Sequence, residues 1–421
     1  MDKLVIEGGA LLKGTVTVSG AKNAVLPIMA ACLLTDDRCV IRNVPRVADV
    51  LTMIKILQAL DVKASLDEDQ LTVKANGYRE YVAPYKLVST MRASICTLGP
   101  LLAKQHQAEV SMPGGCISGP RPIDLHLKGL AALGASITVE HGYVIAKARQ
   151  LRGGMVYLGG SFGSSVLATD NVMMAASLAR GRTVIENAAC EPEVVDLARF
   201  LIKMGAKIRG EGSHTIEIEG VKRLHGAEHT IIPDRIEAGT YLMGAAMTRS
   251  TLTVRGARLD HLGAVADKLT EAGVRLRETD SGVRVEMHRA KLRPVDVTTL
   301  PYPGFPTDLQ AQMMALMTIT PGISVITEKV YPERFMHISE LNRMGASIML
   351  QGDSGIVKGS RSLSGAPVMA SDLRASAALV LAGLIARGRT DVARVYHLDR
   401  GYDRLERKLA GAGAKIWREK I

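Results

Sequence analysis

The chain has 421 residues, 47% of them hydrophobic and 23% charged, a composition typical of globular proteins with ample core. No apolar run is long enough to cross a membrane, and the segment Met1-Asp2-Lys3-Leu4 does not open an apolar secretion signal. The sequence therefore predicts a cytoplasmic protein without a membrane partner.

The net charge of +11 favours acidic partners of some kind. Because only 4% of the residues are aromatic and no run of lysines and arginines stands out, a nucleic-acid partner is not expected. The five cysteines are odd in number and include no Cys-x-x-Cys pair, which argues against a disulfide framework and a zinc site. Cys32 lies in an Ala- and Leu-rich segment and is predicted to be buried.

Six apolar segments rich in Ala, Leu and Met recur along the chain. They predict helices that are buried on all sides, at roughly 21–34, 90–104, 165–179, 234–248, 306–320 and 371–386. The longest apolar run, 375–386, falls within the last segment and suits a core helix.

A second, amphipathic helix follows each apolar helix and ends in a tight turn. The turns are centred on Asp61, Gly134, Gly205, Gly273, Gly345 and Gly413. Glycine just after a helix supplies a left-handed cap, and alternating strand patterns such as 135–139 and 274–277 come next. The turns recur about every 70 residues, a period that indicates structural repeats. Six such units suit two domains of three units each.

The buried helices begin with charged or polar residues, namely Lys22 and Asn23, Arg92, Asp234 and Arg235, Asp308, and Asp372 and Arg374. Helix N-termini attract anions, and equivalent helix starts in a three-fold domain converge toward one end, so these charges are predicted to cluster. N-capping is the alternative role, and it is sufficient for Asp234 and Asp372. Capping does not account for Lys22 or for the arginines that follow both aspartates.

Cys116 lies in the segment 112–122, which contains three glycines and three prolines and is predicted to be an exposed loop. An exposed cysteine near an arginine, here Arg121, can have a lowered pKa and be reactive. The alternative is a loop cysteine without a role. A second Gly/Ser-rich segment, 159–165, precedes the third buried helix and is either a phosphate cradle or a flexible connection.

Ten short motifs occur in a fixed order along the whole chain. They are 19–24 (SGAKNA), 90–94 (TMRAS), 113–116 (PGGC), 121–126 (RPIDLH), 191–193 (EPE), 233–237 (PDRIE), 305–308 (FPTD), 334–337 (RFMH), 372–376 (DLRAS) and 397–402 (HLDRGY). In these motifs the chain resembles the UDP-N-acetylglucosamine 1-carboxyvinyltransferase family of enolpyruvyl transferases.

The resemblance implies an α/β fold: a two-domain inside-out α/β barrel, or inverse prism, with six repeats, three per domain. It implies an N-terminal domain at 22–232 that carries the Cys116 loop, and a C-terminal domain made of 1–21 and 233–421. The implied reaction transfers the enolpyruvyl group of phosphoenolpyruvate to the 3-hydroxyl of UDP-N-acetylglucosamine and releases phosphate. That reaction opens peptidoglycan precursor synthesis, on which cell shape and division depend, and it needs no cofactor or metal.

The resemblance also implies residue roles. The implied catalytic residues are Lys22, Cys116, Asp308 and Arg400. Asp308 is the implied base, and Cys116 is the implied proton donor, which forms an adduct with phosphoenolpyruvate and is the target of fosfomycin. Six residues are implied to bind phosphoenolpyruvate. Its phosphate is held by Lys22, Arg121 and Arg400, its carboxylate is held by Arg334 and Arg374, and Asn23 is the sixth residue. Groups implied to contact the nucleotide sugar are Asn23, Arg92, Arg121, Pro122, Ile123, Asp124, Leu125, Ser165, Val166, Asp308 and Val330. Further charges implied near the substrates are Asp49, Glu191, Asp234, Arg235 and Asp372.

The chain departs from the family pattern at Leu167, where glycine is usual, at Cys96, and at Pro332 in the segment before Arg334. Two other functions therefore stay open: a paralogous transferase acting on a different nucleotide, and a catalytically silent regulatory homologue. The retained Lys22, Cys116 and Asp308 argue against a silent protein. The related 5-enolpyruvylshikimate-3-phosphate synthase is disfavoured because it lacks the cysteine loop. The oligomeric state is left open.

Overall fold

A computed structural model of the protein describes residues 2–112, 123–287, 291–360 and 362–420. The chain divides into two units. The first, called the N unit here, comprises 20–112 and 123–232, and the second, called the C unit, comprises 2–19 and the described residues of 233–420. Each unit has its own hydrophobic core.

The helices are α1 Lys22–Ala31, α2 Ala48–Ala59, α3 Tyr85–Val88, α4 Leu98–Gln105, α5 Asp124–Ala132, α6 Val166–Ala176, α7 Pro192–Lys203, α8 Arg235–Met247, α9 Gly263–Glu271, α10 Gln310–Thr318, α11 His337–Arg343, α12 Leu373–Ile385 and α13 Leu405–Gly411. Short 3-10 helices span Cys32–Leu34, Arg92–Thr97, Leu259–His261, Thr307–Leu309 and Val395–Arg400.

The strands are β1 Asp2–Glu7, β2 Thr15–Thr17, β3 Arg38–Arg42, β4 Lys63–Asp67, β5 Gln70–Lys74, β6 Val82–Ala83, β7 Gln107–Ser111, β8 Ser136–Glu140, β9 Tyr143–Lys147, β10 Met155–Tyr157, β11 Gly159–Gly160, β12 Gly163–Ser164, β13 Arg182–Glu186, β14 Lys207–Arg209, β15 Thr215–Glu219, β16 Glu228–Thr230, β17 Thr251–Arg255, β18 Arg275–Thr279, β19 Gly282–Glu286, β20 Val297–Thr299, β21 Ile323–Glu328, β22 Ser347–Gln351, β23 Ser354–Lys358, β24 Pro367–Met369, β25 Arg389–Ala393 and β26 Lys415–Lys420.

Within the described residues these strands form six four-stranded sheets and one two-stranded sheet, β11-β12. The N unit contains the orders β16-β3-β5-β4, β6-β7-β9-β8 and β10-β13-β15-β14. The C unit contains β2-β17-β19-β18, β20-β21-β23-β22 and β24-β25-β1-β26. In each four-stranded sheet the first pairing is parallel and the other two are antiparallel. All of these orders are open, and no closed barrel occurs among the described strands.

The six predicted apolar helices are confirmed as α1, α4, α6, α8, α10 and α12. Every residue of α10 is buried, as are the residues of α12 from Arg374 to Leu384. In the C unit α8, α10 and α12 pack against one another, and in the N unit α6 contacts α1 and α4. Cys32 is buried, as its apolar neighbours predicted.

The predicted helix over 90–104 is wrong in its first half, which is the 3-10 helix Arg92–Thr97, and the α-helix begins only at Leu98. In a continuous α-helix the N–H of residue 100 would donate to the carbonyl of Cys96, but Pro100 has no N–H. Starting α4 at Leu98 places Pro100 in the first turn, where no intrahelical N–H is needed. The segment from Pro306 likewise starts as a 3-10 helix, in which the N–H of Leu309 donates to the carbonyl of Pro306 at 2.9 Å.

The predicted left-handed caps are confirmed at the five glycine turns, whose φ angles are 90° at Gly134, 99° at Gly205, 90° at Gly273, 88° at Gly345 and 101° at Gly413. Asp61 adopts the same region, with φ 62°, although it has a side chain. The conformation of the turn is therefore kept where the glycine is not. No helix in the described parts of the chain is both long enough and apolar enough to span a bilayer.

Candidate active site

Asp308 lies between two arginine side chains in the C unit. Its Oδ1 accepts a hydrogen bond from Arg334 Nη1 at 2.8 Å, and its Oδ2 accepts one from Arg374 Nη2 at 2.8 Å. The Arg374 side chain is 3% exposed, whereas that of Asp308 is 24% exposed. Three residues that lie far apart in sequence therefore form one charged cluster with the carboxylate accessible to solvent, and we call it the Asp308 cluster.

Each member of the Asp308 cluster is positioned by local structure. Arg374 lies in the first turn of α12, where Asp372 Oδ1 caps the helix by accepting from the backbone N–H of Arg374 at 2.8 Å. The Arg374 guanidinium lies over the ring of Tyr402, 5.6 Å from its centroid. Arg334 precedes α11, and its backbone N–H donates to the carbonyl of Tyr331 at 2.9 Å. Both guanidinium groups are thus held before any ligand arrives.

The two arginines decide the ionisation of Asp308. Burial by itself raises the pKa of the Asp308 carboxyl, but the charges of Arg374 and Arg334 outweigh burial and hold that pKa well below its usual range. Burial lowers the pKa of Arg374, yet Asp308 more than compensates and leaves it raised. The cluster therefore contains a fully ionised carboxylate and two permanent cations.

Glu328 supports the cluster, and sequence reasoning did not select it. It is the last residue of β21 and is 0% exposed. Its Oε2 accepts from Thr307 Oγ1 at 2.8 Å, and Thr307 Oγ1 in turn accepts from Arg334 Nη1 at 3.0 Å. A glutamate at the end of a strand rich in β-branched residues is common on protein surfaces, so the sequence carried no signal that this side chain is buried.

A buried histidine lies near the same charges. Burial lowers the pKa of His337 to about 4, with Asp372 raising and Arg334 lowering it in smaller measure. His337 Nε2 is 3.2 Å from Met314 Sδ. His337 is therefore neutral at physiological pH and adds no charge to the Asp308 cluster.

Lys22 begins α1 in the N unit, as predicted, and forms an ion pair with Asp49 of α2. The distance from Lys22 Nζ to Asp49 Oδ2 is 3.2 Å, and the two side chains are 12% and 5% exposed. Because both groups are largely removed from water, neither can lose its partner without a substantial penalty. Asn23, the next residue of α1, is the second predicted ligand on this helix.

Five predicted nucleotide-binding residues in the described part of the N unit lie at the starts of α5 and α6. Ile123 is buried and precedes α5, which Asp124 and Leu125 open. Ser165 caps α6 by accepting from the backbone N–H of Ala168 at 3.4 Å, and Val166 is the first residue of that helix. The Gly/Ser segment before α6 forms the small hairpin β11-β12.

Arg92 starts a 3-10 helix, and its charge acts on His126. Burial, with a smaller contribution from Arg92, lowers the pKa of His126 to about 3, so this histidine is neutral. His126 Nδ1 lies 2.8 Å from Asn171 Nδ2 and accepts a hydrogen bond from it in the neutral tautomer that carries its hydrogen on Nε2.

Asp170 is a second residue that the sequence analysis missed. It lies inside the apolar helix α6 and is 1% exposed. Among the described residues neither carboxyl oxygen of Asp170 has a hydrogen-bond partner. Burial, followed by the negative charges of Glu191 and Glu193, raises its pKa well above the usual range, so the group is protonated. Its position in an otherwise apolar helix was the available signal.

Other predicted residues have defined places. Arg400 closes the 3-10 helix Val395–Arg400, and Glu191 precedes α7. Asp234 caps α8 by accepting from the N–H groups of Ile236 and Glu237, so its predicted capping role is confirmed, as it is for Asp372. Predicted residues outside the described parts of the chain are Cys116, Arg121 and Pro122. No group of three or more His, Cys, Asp or Glu side chains within the described ranges could hold a metal ion.

The class of protein is defined by a family model and by similarity to a solved structure. The family model EPSP synthase (3-phosphoshikimate 1-carboxyvinyltransferase) matches residues 6–409. The crystal structure of the enolpyruvyl transferase NikO from Streptomyces tendae superposes with a TM-score of 0.91 and 26% sequence identity, covering 100% of this chain and 99% of that chain. The chain belongs to the EPSP synthase family, which adopts a mixed α/β fold with many sheets.

Within this family, the more similar full-length relatives share one enzyme name. UDP-N-acetylglucosamine 1-carboxyvinyltransferase 1 of Caldanaerobacter subterraneus subsp. tengcongensis is 55% identical over 417 residues, 99% of both chains. UDP-N-acetylglucosamine 1-carboxyvinyltransferase of Myxococcus xanthus is 55% identical over 423 residues, 100% of both chains. The resemblance inferred from the ten motifs is confirmed.

Proposed function

We propose that this protein transfers the enolpyruvyl group of phosphoenolpyruvate to the 3-hydroxyl of UDP-N-acetylglucosamine and releases phosphate, the first committed step of peptidoglycan precursor synthesis. The observation that carries the proposal is the Asp308 cluster, in which an ionised carboxylate lies 2.8 Å from each of two guanidinium groups. The names of the full-length relatives support UDP-N-acetylglucosamine as the acceptor and a carboxyvinyl group as the group that is transferred.

The chemistry of the reaction accounts for this arrangement. A sugar hydroxyl is a very weak acid, so a positioned carboxylate must take its proton as the new C–O bond forms, and Asp308 has that role. Phosphoenolpyruvate brings a carboxylate that binds guanidinium groups through paired hydrogen bonds, and Arg334 and Arg374 receive it. Because the same two arginines depress the pKa of Asp308, substrate that takes over their hydrogen bonds makes Asp308 a stronger base when it is needed.

The remaining roles follow the family resemblance. Lys22, Arg121 and Arg400 hold the phosphate, and Cys116 delivers the proton to the methylene carbon. Residues that contact the nucleotide sugar are Asn23, Arg92, Arg121, Pro122, Ile123, Asp124, Leu125, Ser165, Val166, Asp308 and Val330. The backbone amides at the start of α6, capped by Ser165, suit a diphosphate. No cofactor takes part.

The same proposal includes an architecture: an inside-out α/β barrel of three repeats in each domain, with domains at 22–232 and at 1–21 together with 233–421. Three sheets per unit with one shared pattern of pairings support the repeats. Helices buried along their whole length, such as α10, support their place inside the sheets.

A second candidate function is an enolpyruvyl transferase that acts on a different nucleotide. The leucine at position 167, where glycine is usual in the family, favours it. One assay separates the candidates: phosphate release from phosphoenolpyruvate with and without UDP-N-acetylglucosamine. We expect release only with this sugar, together with a product heavier by one carboxyvinyl group. Release with another nucleotide alone would establish the second candidate, and no release with any nucleotide would indicate a silent homologue.

A further inference from the structure

Glu328 is a fully buried carboxylate that four donors share. Its Oε1 accepts from Thr299 Oγ1 at 2.5 Å and from the backbone N–H groups of Val330 and Tyr331 at 2.9 Å each. Its Oε2 accepts from Thr307 Oγ1 at 2.8 Å. Hydrogen bonds to an ionised carboxylate are about twice as strong as those between neutral groups. One side chain thus fixes three separate segments of the C unit.

Two of these segments carry members of the Asp308 cluster. Thr307 immediately precedes Asp308, and its hydroxyl accepts from Arg334 Nη1 at 3.0 Å while donating to Glu328. The same Arg334 Nη1 donates to Asp308 Oδ1 at 2.8 Å. The Thr307 hydroxyl therefore needs Glu328 as its acceptor in order to present its lone pair to Arg334. Reversal of that hydroxyl would place two donors against each other.

The third segment is the backbone at 329–331. Its N–H groups donate to Thr299 Oγ1 at residue 329 and to Glu328 Oε1 at residues 330 and 331. The carbonyl of Tyr331 then accepts from the backbone N–H of Arg334 at 2.9 Å, so the turn that delivers Arg334 begins on the Glu328 carboxylate. Glu328 thus restrains both the backbone and the guanidinium of Arg334.

The fold itself does not require an acid at this place. Thr299 and Glu328 are register partners at the ends of the parallel strands β20 and β21. The corresponding partners in the two other sheets of the C unit are Met369 with Ala393 and Thr17 with Arg255. Because strand pairing is satisfied there without a buried carboxylate, stability of the sheet does not explain Glu328.

We infer that Glu328 and Thr307 are positioning residues of the reaction, which fix the guanidinium of Arg334 against Asp308 and the backbone at Val330 for the nucleotide sugar. The inference rests on the proposed function for its catalytic consequence. Neither residue touches the reacting atoms in this account. Their effect is exerted through Arg334, which receives the carboxylate of phosphoenolpyruvate in the proposed function and also lowers the pKa of Asp308.

The test uses Thr307→Val, Thr307→Ser and Glu328→Gln, with Asp196→Asn as the matched control. Asp196 is 2% exposed and accepts from His229 Nε2 at 2.9 Å in the N unit, so it is an equally buried carboxylate without a link to Asp308. Steady-state kinetics would be recorded across pH. For Thr307→Val we expect kcat to fall about tenfold, because the variant loses the hydrogen bond that holds the charged Arg334 guanidinium in place.

Loss of the Thr307 hydroxyl loosens Arg334, so less positive charge is fixed at Asp308 and its carboxyl binds a proton more readily. We therefore expect the acid limb of the kcat profile to move to higher pH in Thr307→Val, with KM for UDP-N-acetylglucosamine unchanged within about twofold. Thr307→Ser keeps the hydroxyl and should restore both values. Glu328→Gln should lower kcat and also raise that KM, because the backbone at Val330 is released.

A readout independent of activity separates this inference from the proposed function. The changes in melting temperature caused by Thr307→Val and Asp308→Asn should not be additive. The double variant should differ from their sum by ~2 °C or more, whereas the changes caused by Thr307→Val and Asp196→Asn should be additive. Additive effects with Asp308→Asn, an unmoved acid limb, or no rescue by serine would each overturn the inference. A wild-type protein that releases no phosphate would refute the proposed function and leave the melting experiment to decide the link.

Discussion

Asp308 and Asp170 are both acids near the start of a buried helix, one in each unit, and their pKa values move in opposite directions. Burial raises the pKa of each carboxyl. In the C unit Arg374 and Arg334 outweigh burial and keep Asp308 ionised, whereas in the N unit Glu191 and Glu193 add to burial and keep Asp170 protonated. Because burial acts in the same direction on both carboxyls, the charges of the neighbours account for the opposite directions of the two pKa shifts.

Replacing these two acids should have different consequences, one for catalysis and the other for stability. Asp308 is partly exposed and paired, so its replacement should be felt mainly in catalysis. Asp170 is enclosed, and among the described residues its carboxyl oxygens lack hydrogen-bond partners, so its replacement should be felt in folding.

Asp308→Asn should produce the largest effect. Asparagine keeps the shape of the side chain but cannot take the proton of the sugar hydroxyl, so we expect kcat to fall about 10²-fold or more. Binding of the nucleotide sugar, measured by calorimetry, should change much less. Turnover close to that of the wild type would show that another group is the base.

Arg374→Lys should rank second. Lysine keeps the positive charge but lacks the planar fork that holds a carboxylate through two hydrogen bonds. We expect kcat/KM for phosphoenolpyruvate to fall about 10- to 100-fold, corresponding to ~1.4–2.7 kcal/mol of transition-state stabilisation. Arg389→Lys is a suitable control, because Arg389 is about half exposed and pairs with Asp391 on the surface. An equal loss in the control would contradict a specific role for Arg374.

Asp170→Asn should rank third and should act on stability. With a raised pKa in the folded state, the folded protein binds more protons than the unfolded chain above pH ~4, so the wild type loses stability as pH rises. Asparagine does not titrate, so the stability of the variant relative to the wild type should rise with pH above pH ~4, by up to about 1.4 kcal/mol for each pH unit over which folded Asp170 stays protonated. Denaturant melts at several pH values would check this. A difference that does not change with pH would mean that Asp170 is ionised.

His337→Gln should have the smallest effect and the opposite sign. The pKa of His337 is about 4 in the folded state and about 6.5 in an unfolded chain. The wild type should therefore lose stability as pH falls from 6.5 towards 4, and glutamine should remove about 1 kcal/mol of that loss at pH 5.5. The stability of the Asp170→Asn protein, measured across pH with and without His337→Gln, isolates the pH dependence that His337 contributes. If the stabilities of the two proteins change in parallel with pH, His337 binds protons equally well in the folded and unfolded states.

The sequence predicted the features that depend on local pattern. Apolar runs indicated α8, α10 and α12, and glycine indicated the left-handed turns, because both follow from the conformational preferences of a short segment. Asp308 and Arg374 were selected from the residues themselves because they stand at helix starts, whereas Arg334 was selected only through the family resemblance.

What the sequence did not predict depends on contacts between distant segments. Glu328 is buried because Thr299, Thr307 and the backbone at 330–331 converge on it, and no local pattern encodes that convergence. The opposite pKa shifts of Asp170 and Asp308 likewise depend on neighbours from distant segments. The late start of α4 is different, because its cause, the missing N–H of Pro100, is local and could have been read from the sequence.

The central claim is that the enolpyruvyl group is transferred to the 3-hydroxyl of UDP-N-acetylglucosamine. Phosphate release from phosphoenolpyruvate, measured with this sugar and with its 3-deoxy analogue, tests it most directly. We predict one phosphate for each UDP-N-acetylglucosamine consumed and none with the analogue, which lacks the 3-hydroxyl that attacks phosphoenolpyruvate. Equal phosphate release with both nucleotides would contradict the account.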